Sequence, residues 1–590
     1  MPSLQPIHDW FELQGWEPLP FQRRTWEAYL EGRSGLIQVP TGSGKTFAAV
    51  MGPIARILQQ QPAERGIHLL YITPLRALSR DLALAIREPI EAMKWPIRVG
   101  TRNGDSSSSE RSRQLKSPPE ILVTTPESLT LLLSNPKAEE LFAALDTVVL
   151  DEWHELMGSK RGSQTELCLS WLRQHRPSLQ TWAISATIGN LEQAARHALG
   201  TEEIPLIVGG APARVTEIQS IFPDSIDGFP WAGHLGLRMY EELVARLNPA
   251  ISTLLFTNTR NQSERWHQCL RFACPEMDDA LALHHSAIDR SEREAIEAAV
   301  KAGSIRWVVC TSSLDLGVDF QPVEQVVQIG SPKNLARLLQ RAGRSAHLPG
   351  GTSQVLFMPT NALELLELSA VRRGLGEGLV EQRKPPMAPL DVLLQHLTSL
   401  ACGPGLAPET SYSSIRSCAA YSDLKRDDWN WCLKFLEQGG DCLGAYPRYR
   451  KLEWDTETER FRVREKAIAR MHRLNIGTIT AAPSITVRFV RGAVLGHVEE
   501  TFIGQLKPKD VFFFSGRQLE FIRLRDMTAY VKLSTRKSRT VPAWAGGQMA
   551  LSDLLTHHLR CEVDRAGRGE LDLSLIHISE PTRLGMMAYA

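Results

Sequence analysis

The sequence predicts an α/β chain: two tandem doubly wound parallel sheets, then a three-helix-plus-hairpin unit and a β-rich, barrel-like partial domain. Three observations carry that expectation. Short β-branched runs alternate with amphipathic stretches in two successive blocks, the pattern of strand–crossover–strand units. A glycine-rich loop follows the first run, at the strand end where such sheets bind ligands. And 590 residues exceed what one core sustains, about 250–300 residues, so several domains are required.

In the first block GLIQV (35–39), HLLYIT (68–73), EILVTT (120–125), TVVLDE (147–152) and TWAISAT (181–187) read as buried parallel strands. The loop after GLIQV runs Val39-Pro40-Thr41-Gly42-Ser43-Gly44-Lys45-Thr46. Its glycines let backbone N–H groups curl around phosphate oxygens, with Lys45 placed to reach the β- and γ-phosphates of ATP and Thr46 to hold Mg²⁺. Val39 stands where this motif usually has Gly or Ala. A plain Gly/Ser turn before a helix is the competing reading.

TVVL then runs into Asp151-Glu152-Trp153-His154-Glu155. At the ligand edge of a neighbouring strand, Asp151 is placed to complete the Mg²⁺ site and Glu152 to orient or deprotonate an attacking water. Without the phosphate loop, such a pair would be read as a solvated strand end. A zinc protease is excluded, because H-E-x-x-H fails at Gly158.

Composition bounds the rest. With 43% hydrophobic and 23% charged residues the chain reads as globular, and no apolar run is long enough for a bilayer. The start MPSLQPIHDWFELQGW lacks a signal pattern, so the expected location is cytoplasmic with no membrane partner. Nine cysteines are scattered without metal-finger spacing and read as small buried thiols. A net charge of +1 means that any polyanion must meet locally concentrated basic groups.

The second block offers TLLFTNTR (253–260), ALALHHS (280–286), SIRWVVCTSSLDLGVDF (304–320) and QVVQIGS (325–331), with no phosphate loop of its own. One loop for two similar sheets implies a shared nucleotide, to which the second block must also contribute.

GSGKT, DEWH and SAT (Ser185–Thr187) together resemble the superfamily 2 DExH-box nucleic-acid helicases, whose two motor domains are RecA-like. Gly15-Trp16 and Pro18-Leu19-Pro20-Phe21-Gln22 resemble that family's Q motif, in which Gln22 would read adenine. TPLRAL (73–78), TTPESL (124–129) and NGDSSSSER (103–111) resemble the strand-tracking elements. The resemblance implies nucleic-acid contacts from Thr73, Pro74, Arg76, Thr125, Pro126, Glu127, Asn258, Arg260, Thr311 and Ser312. It puts Gly317 and Asp319 on the nucleotide and has His154, Ser185 and Thr187 couple the catalytic edge to motion. Gln340-Arg341-Ala342-Gly343-Arg344 supplies catalytic Gln340, Arg341 and Arg344, with Arg344 as arginine finger; His347 stands where the pattern often has a further Arg. An exposed basic helix end is the alternative for this run. Trp153 is expected to pack beside its strand.

Downstream, PLDVLLQHLTSL (389–400), SYSSIRSCAAY (411–421) and RDDWNWCLKFLEQGG (426–440) read as helices and GAYPRYRKLEWDTETERFRV (444–463) as a hairpin, a winged-helix arrangement. Arg448 and Arg450, among basic and aromatic neighbours, suit a backbone-and-stacking interface. Interspersed acids equally suit a solvated hairpin face. Residues 476–550 carry short strands. The expected domains are 1–210, 211–375, 376–475, 476–572 and a tail at 573–590. The whole text to about residue 570 resembles the bacterial Lhr-like helicases, in particular the ligase-associated DEXH type.

That resemblance implies ATP-driven 3′-to-5′ movement on single-stranded DNA, unwinding of duplex or RNA:DNA hybrid, a role in DNA repair, and association with an ATP-dependent DNA ligase and a nuclease near the bacterial nucleoid. Two further readings stand beside it: an RNA- or hybrid-directed remodelling ATPase, and a nucleotide-switched DNA-binding scaffold. The ending LSLIHISEPTR (573–583) resembles a translated sequencing adaptor, so the natural chain is expected to depart near residue 572, with the last domain unfinished.

Overall fold

The structure is a computed structural model that describes residues 3–39, 43–60, 66–186, 188–200, 205–210, 215–221, 230, 233, 235–315, 323–345, 352–440, 446, 449–477, 484–536, 538, 540–542 and 550–570. The chain divides into two compact units, each built from two stretches of sequence: Met1–Ala211 with Gln382–Thr480, and Pro212–Glu381 with Ala481–Ala590.

The first unit is organised by seven parallel strands: Gly35–Gln38 (β1), Leu69–Ile72 (β2), Val99–Arg102 (β3), Ile121–Thr124 (β4), Thr147–Leu150 (β5), Gln180–Ser185 (β6) and Leu206–Val208 (β7), in spatial order β3-β4-β2-β5-β6-β1-β7. The five expected runs are the central strands; β2, β4 and β5 are buried on both faces, as helices on both sides of a parallel sheet require. The two edge strands escaped the sequence reading. VGTR is only half-buried along its length and LIV is three residues long, so neither shows a buried apolar run.

The winged-helix stretch shares the first unit's core. Helices Leu390–Cys402 and Arg426–Gln438 and the hairpin Leu452–Asp455 (β14) with Arg460–Val463 (β15) add Leu393, Leu397, Trp429 and Leu452 to the hydrophobic cluster that contains Leu70, Val148 and Trp153. SYSSIRSCAAY is not one helix. It splits into Pro408–Arg416 and a 3₁₀ turn Ala419–Tyr421, because the Ala420 N–H turns to the buried Glu166 carboxylate at 3.0 Å instead of continuing the ladder. A further amphipathic helix, Lys466–Leu474, follows the hairpin and was not foreseen.

The second unit has a six-stranded parallel sheet of Val215–Ser220 (β8), Thr253–Phe256 (β9), Leu281–His284 (β10), Trp307–Cys310 (β11), Gln325–Ile329 (β12) and Thr352–Met358 (β13), in order β10-β11-β9-β12-β13-β8. The long run SIRWVVCTSSLDLGVDF yields only β11 and a 3₁₀ turn, Ser312–Leu314. A second, five-stranded sheet comprises Ser484–Phe489 (β16), Val494–Glu499 (β17), Val511–Phe514 (β18), Arg517–Arg525 (β19) and Thr528–Leu533 (β20), ordered β17-β16-β20-β19-β18. Among the described residues its end strands do not pair with each other, so it is an open, curled mixed sheet, in keeping with the barrel-like partial domain expected. It is docked firmly on the parallel sheet's layer: Asp289 N–H donates to Leu495 O at 3.0 Å, His497 N–H to Ala287 O at 2.7 Å, and Ser515 N–H to the buried Glu264 carboxylate at 2.9 Å. A side chain at Gly496 would put Cβ 2.0 Å from Ala287 O, which is why glycine stands there. Helix Asp553–Gly567 closes the unit, packing on helix Leu363–Gly376 through Leu555 and through Glu562, which accepts from Ser369 Oγ at 2.7 Å.

Candidate functional site

β1 delivers the phosphate-loop motif to the carboxyl edge of the first sheet, and the helix Lys45–Gln60 starts there. Pro40, Thr41, Gly42 and Thr187 lie outside the described residues; Ser43, Gly44, Lys45 and Thr46 lie within them. Gly44 takes φ +78°, and a Cβ there would meet the Gln22 amide at 2.7 Å. That close approach is used: Gln22 Nε2 donates to Gly44 O at 3.0 Å, while Gln22 Oε1 accepts from Leu19 N–H at 2.8 Å. Gln22 is therefore fixed against the loop by its backbone.

Two strands away, β5 ends in the acids. The Lys45 ammonium hydrogen-bonds Glu152 Oε1 and lies 3.7 Å from Asp151 Oδ1, with all three side chains nearly withdrawn from solvent. Asp151 Oδ1 in turn accepts from Glu152 N–H at 3.0 Å. Glu152 adopts φ +45°, the left-handed region, as it caps the short helix Trp153–Met157. A bulky residue held there stores backbone strain, a recurrent feature of functional sites. Burial raises the Asp151 carboxyl to about 6, against the pull of Lys45 and with the charge of Glu152 adding to the rise.

Beyond Glu152, His154 Nε2 lies 3.6 Å from both Glu152 Oε2 and Glu155 Oε1, and His154 Nδ1 lies 3.3 Å from Ser185 Oγ at the end of β6. Burial holds the His154 imidazole below its ordinary value, so it is neutral near pH 7 and stands between Ser185, to which it is hydrogen-bonded, and the two acids 3.6 Å away. Trp153 is fully buried and its indole donates to Ala194 O at 2.8 Å, which is the packing role expected of it.

The sequence reading overlooked Tyr71. Its buried hydroxyl sits beside the Thr46 hydroxyl and Asp151, and burial, then the charges of Asp151 and Glu152, keep the phenol protonated. Only its place on β2, next to β5, could have signalled it. Thr46 and Asp151 form the donor set that a largely hydrated Mg²⁺ prefers, one carboxylate and one hydroxyl with the remaining positions left to phosphate and water. Among the described residues no group of three or more His, Cys, Asp or Glu side chains is placed to hold a metal ion.

The strand-tracking candidates gather at the carboxyl ends of the paired strands β2 and β4. Thr73 is fully buried and its N–H reaches Thr124 O at 2.9 Å. Pro74 and Pro126 are buried, whereas Arg76 is exposed and lies against the NGDSSSSER loop, 3.4 Å from Asp105. Thr125 donates to Ser128 Oγ at 3.3 Å. Glu127 is clamped by Arg161 at 2.6 and 3.1 Å, a buttress not foreseen, and this pairing holds its carboxyl below the ordinary value despite burial.

In the second unit, Asn258 Nδ2 donates to Ser331 O at 2.8 Å, Arg260 opens its helix with its guanidinium pKa lowered by burial, and Thr311 and Ser312 follow β11. Gly317, Asp319 and His347 lie outside the described residues. Gln340 and Arg341 lie buried on helix Leu335–Ala342, and Arg344 follows its end. Arg341 donates to both Asp315 oxygens at 2.7 and 3.3 Å and to Gln328 Oε1 at 2.6 Å, and lies over the Phe256 ring. Arg344 Nη2 donates to Asp315 O at 3.0 Å, and Arg337 Nε is 3.3 Å from Asp315 Oδ2. Asp315, the acid inside TSSLDLGVDF, thus organises three arginines and was missed as a candidate. The run is no exposed basic helix end.

On the hairpin, Arg448 lies outside the described residues and Arg450 is exposed. Arg462 pairs with Asp455 at 3.1 Å and Arg464 with Glu453 at 3.8 Å, so much of the wing's basic charge is met by its own acids. Trp454 stays partly exposed, edge-on to Phe461.

Comparison with known proteins gives three family-model matches: DEAD/DEAH box helicase over residues 19–194, helicase conserved C-terminal domain over 237–348, and large helicase-related protein, winged helix domain, over 373–541. The ATP-dependent helicase Lhr-Core protein 2 of Thermococcus barophilus is 32% identical over 93% of this chain and 66% of that protein. The ATP-dependent helicase Lhr-Core of Methanocaldococcus jannaschii is 31% identical over 93% of this chain and 65% of its own length. The solved structure of Mycobacterium smegmatis helicase Lhr bound to ssDNA and AMP-PNP matches with TM-score 0.71 and 28% identity, covering 81% of this chain and 62% of that one. The chain spans somewhat under two thirds of these relatives. Both Lhr-Core relatives are archaeal, so they lend no support to the bacterial, nucleoid placement expected from the resemblance. Among the described residues, no helix is long and apolar enough to cross a membrane.

Proposed function

The chain belongs to the Lhr-like superfamily 2 helicases, and from that premise we propose that it is a nucleic-acid-dependent ATPase that moves 3′-to-5′ on single-stranded DNA and unwinds duplex or RNA:DNA hybrid. The observation that carries the reading is the convergence of Lys45, Asp151 and Glu152 at one sheet edge, with His154 and Ser185 joined to them.

In this reading Lys45 exchanges its carboxylate partners for the β- and γ-phosphates of ATP, which frees Glu152 to accept a proton from the attacking water. Ser43, Gly44 and the undescribed Thr41 and Gly42 supply N–H groups, and Gln22 recognises the adenine edge. Thr46 and Asp151 would hold Mg²⁺, which would supply positive charge to offset the negative charge developing on the transferred phosphoryl group. Arg344 acts on the γ-phosphoryl group, while Arg341 and Asp315 hold the segment that presents it; Gln340, Gly317 and Asp319 contribute on the same side. Thr73, Pro74, Arg76, Thr125, Pro126 and Glu127, with Asn258, Arg260, Thr311 and Ser312, track the strand through its phosphates and read no sequence. The Lhr relative solved with ssDNA and AMP-PNP supports both ligands by likeness. A repair role with a DNA ligase and a nuclease belongs to the same proposal.

The deciding experiment measures ATP turnover and strand displacement on 3′- and 5′-tailed DNA, RNA and hybrid substrates. We expect stimulation by single-stranded DNA and displacement only from a 3′ tail. Stimulation by RNA alone would replace this reading with an RNA-directed remodeller, and DNA-stimulated turnover without displacement would favour the scaffold.

A further inference from the structure

We propose that His284 and Glu297 are positioning residues for the turn after β11, holding the Ser313 hydroxyl so that single-stranded nucleic acid meets Thr311 and Ser312 in one fixed arrangement. This deepens the ATPase reading above, on which it rests. All the residues involved belong to the second unit.

β10 and β11 pair in parallel with His284 opposite Cys310, so the two strands end at the same level of the sheet edge. The 3₁₀ turn Ser312–Leu314 starts there, preceded by Thr311 and followed by Asp315. It joins the two residues assigned to the strand to the acid that organises Arg337, Arg341 and Arg344. Its own backbone bonds are short in range: Leu314 N–H reaches Thr311 O at 3.4 Å and Asp315 N–H reaches Ser312 O at 3.1 Å. His284 supplies a further hold. Its carbonyl accepts from Thr311 N–H at 3.3 Å and lies 3.1 Å from Ser313 Oγ, while its Nδ1 lies 2.9 Å from the same Oγ. On the far side of the ring, Nε2 lies 3.2 Å from Oε1 of Glu297, on helix Arg290–Lys301.

The His284 ring is 1% exposed and the Glu297 side chain 14%, so water does not readily replace either partner. Burial, against the pull of Glu297, keeps the imidazole below its ordinary value and leaves it a single ring proton near pH 7. A carboxylate oxygen accepts and does not donate, so that proton sits on Nε2, and Nδ1 is left to accept from the Ser313 hydroxyl. Without Glu297 the proton is free to move to Nδ1, and Ser313 then turns its hydrogen to the His284 carbonyl. The carboxylate thus decides which way the hydroxyl at the centre of the turn points. Glu297 acts through His284, and His284 through Ser313, on the two residues assigned to the strand.

The test measures ATP turnover of the full chain against the concentration of a single-stranded DNA oligonucleotide. It compares wild type, Ser313→Ala, Glu297→Leu, the double variant, and Glu297→Gln, whose amide oxygen still accepts from Nε2. We expect Ser313→Ala and Glu297→Leu each to raise the half-stimulating oligonucleotide concentration about three- to tenfold, the size of one hydrogen bond, with unstimulated turnover and KM for ATP within about twofold. Because both act through one chain of contacts, the double variant should be no worse than the worse single, and Glu297→Gln should lie close to wild type. Ser313 is only partly buried, so Ser313→Ala decides the matter should Glu297→Leu fold poorly. An unchanged half-stimulating concentration, losses that multiply in the double variant, a Glu297→Gln as impaired as Glu297→Leu, or an equal fall in unstimulated turnover would each overturn the proposal. Wild type judges the underlying reading separately: a wild type that DNA does not stimulate removes that reading, whereas a stimulated wild type with unaffected variants removes the positioning role alone.

Discussion

Arg341 grips both carboxylate oxygens of Asp315, at 2.7 and 3.3 Å, and the two side chains are 1% and 5% exposed. With Gln328 on the remaining nitrogen, the guanidinium is fully engaged inside its own unit, which separates its role from that of Arg344.

Arg341→Ala should therefore act first on stability. Removing one partner of a buried pair leaves the other charge uncompensated, typically at a cost of about 3–5 kcal/mol. Denaturant unfolding of the second unit measures this, and joint replacement of Arg341 by Met and Asp315 by Leu should restore most of the loss. A cost below about 1 kcal/mol for Arg341→Ala would show the clamp to be unimportant.

Arg344→Ala should leave ATP affinity in place and lower hydrolysis by about 10³-fold, the lower range for arginine fingers. Equilibrium binding of a fluorescent nucleotide beside steady-state turnover separates the two effects. Lost affinity with preserved turnover would remove Arg344 from the phosphoryl site.

Glu152→Gln keeps the shape of the site and its contact with Lys45 while removing the base. Turnover should fall about 10²–10⁴-fold, with ATP-stabilised DNA binding retained. Unchanged turnover would reassign the base.

Acid should destabilise the first unit through His396. Burial pushes this imidazole down to about 3, far below the ordinary value near 6.5. The unfolded chain therefore binds a proton that the folded chain refuses, and stability is lost as pH falls below about 6.5 towards 3, at about 1.4 kcal/mol per pH unit. His267 in the second unit, likewise pushed to about 3 by burial, behaves the same way. Between pH 7 and pH 5, His396→Leu should lose about 2 kcal/mol less than wild type. Parallel pH profiles for the two proteins would refute the assignment.

The central strands, the phosphate loop and the acids were legible because β-branched runs and Gly-Lys spacing are local signals. The edge strands β3 and β7 were not, since a half-exposed or three-residue strand carries no such pattern. β13, Thr352–Met358, sits in the interior of its sheet and was also missed, as was helix Asp553–Gly567. Within the candidate site, sequence spacing located Lys45, Asp151 and Glu152, but Tyr71, Asp315 and Arg161 owe their places to partners distant in sequence. Glu381 caps a helix 46 residues earlier at Leu335, and no local rule reveals such a contact.

The core of the first unit draws Leu70 and Val148 together with Leu397, Trp429 and Leu452. A ribosome making this protein must release about two hundred intervening residues before the helices Pro126–Leu133 and Lys160–His175 of the opening stretch receive their apolar cover. Until then the emerging chain displays greasy surface, which makes synthesis a period of chaperone dependence. For the same reason, a clone ending near residue 381 should be recovered in inclusion bodies and not as a free-standing motor.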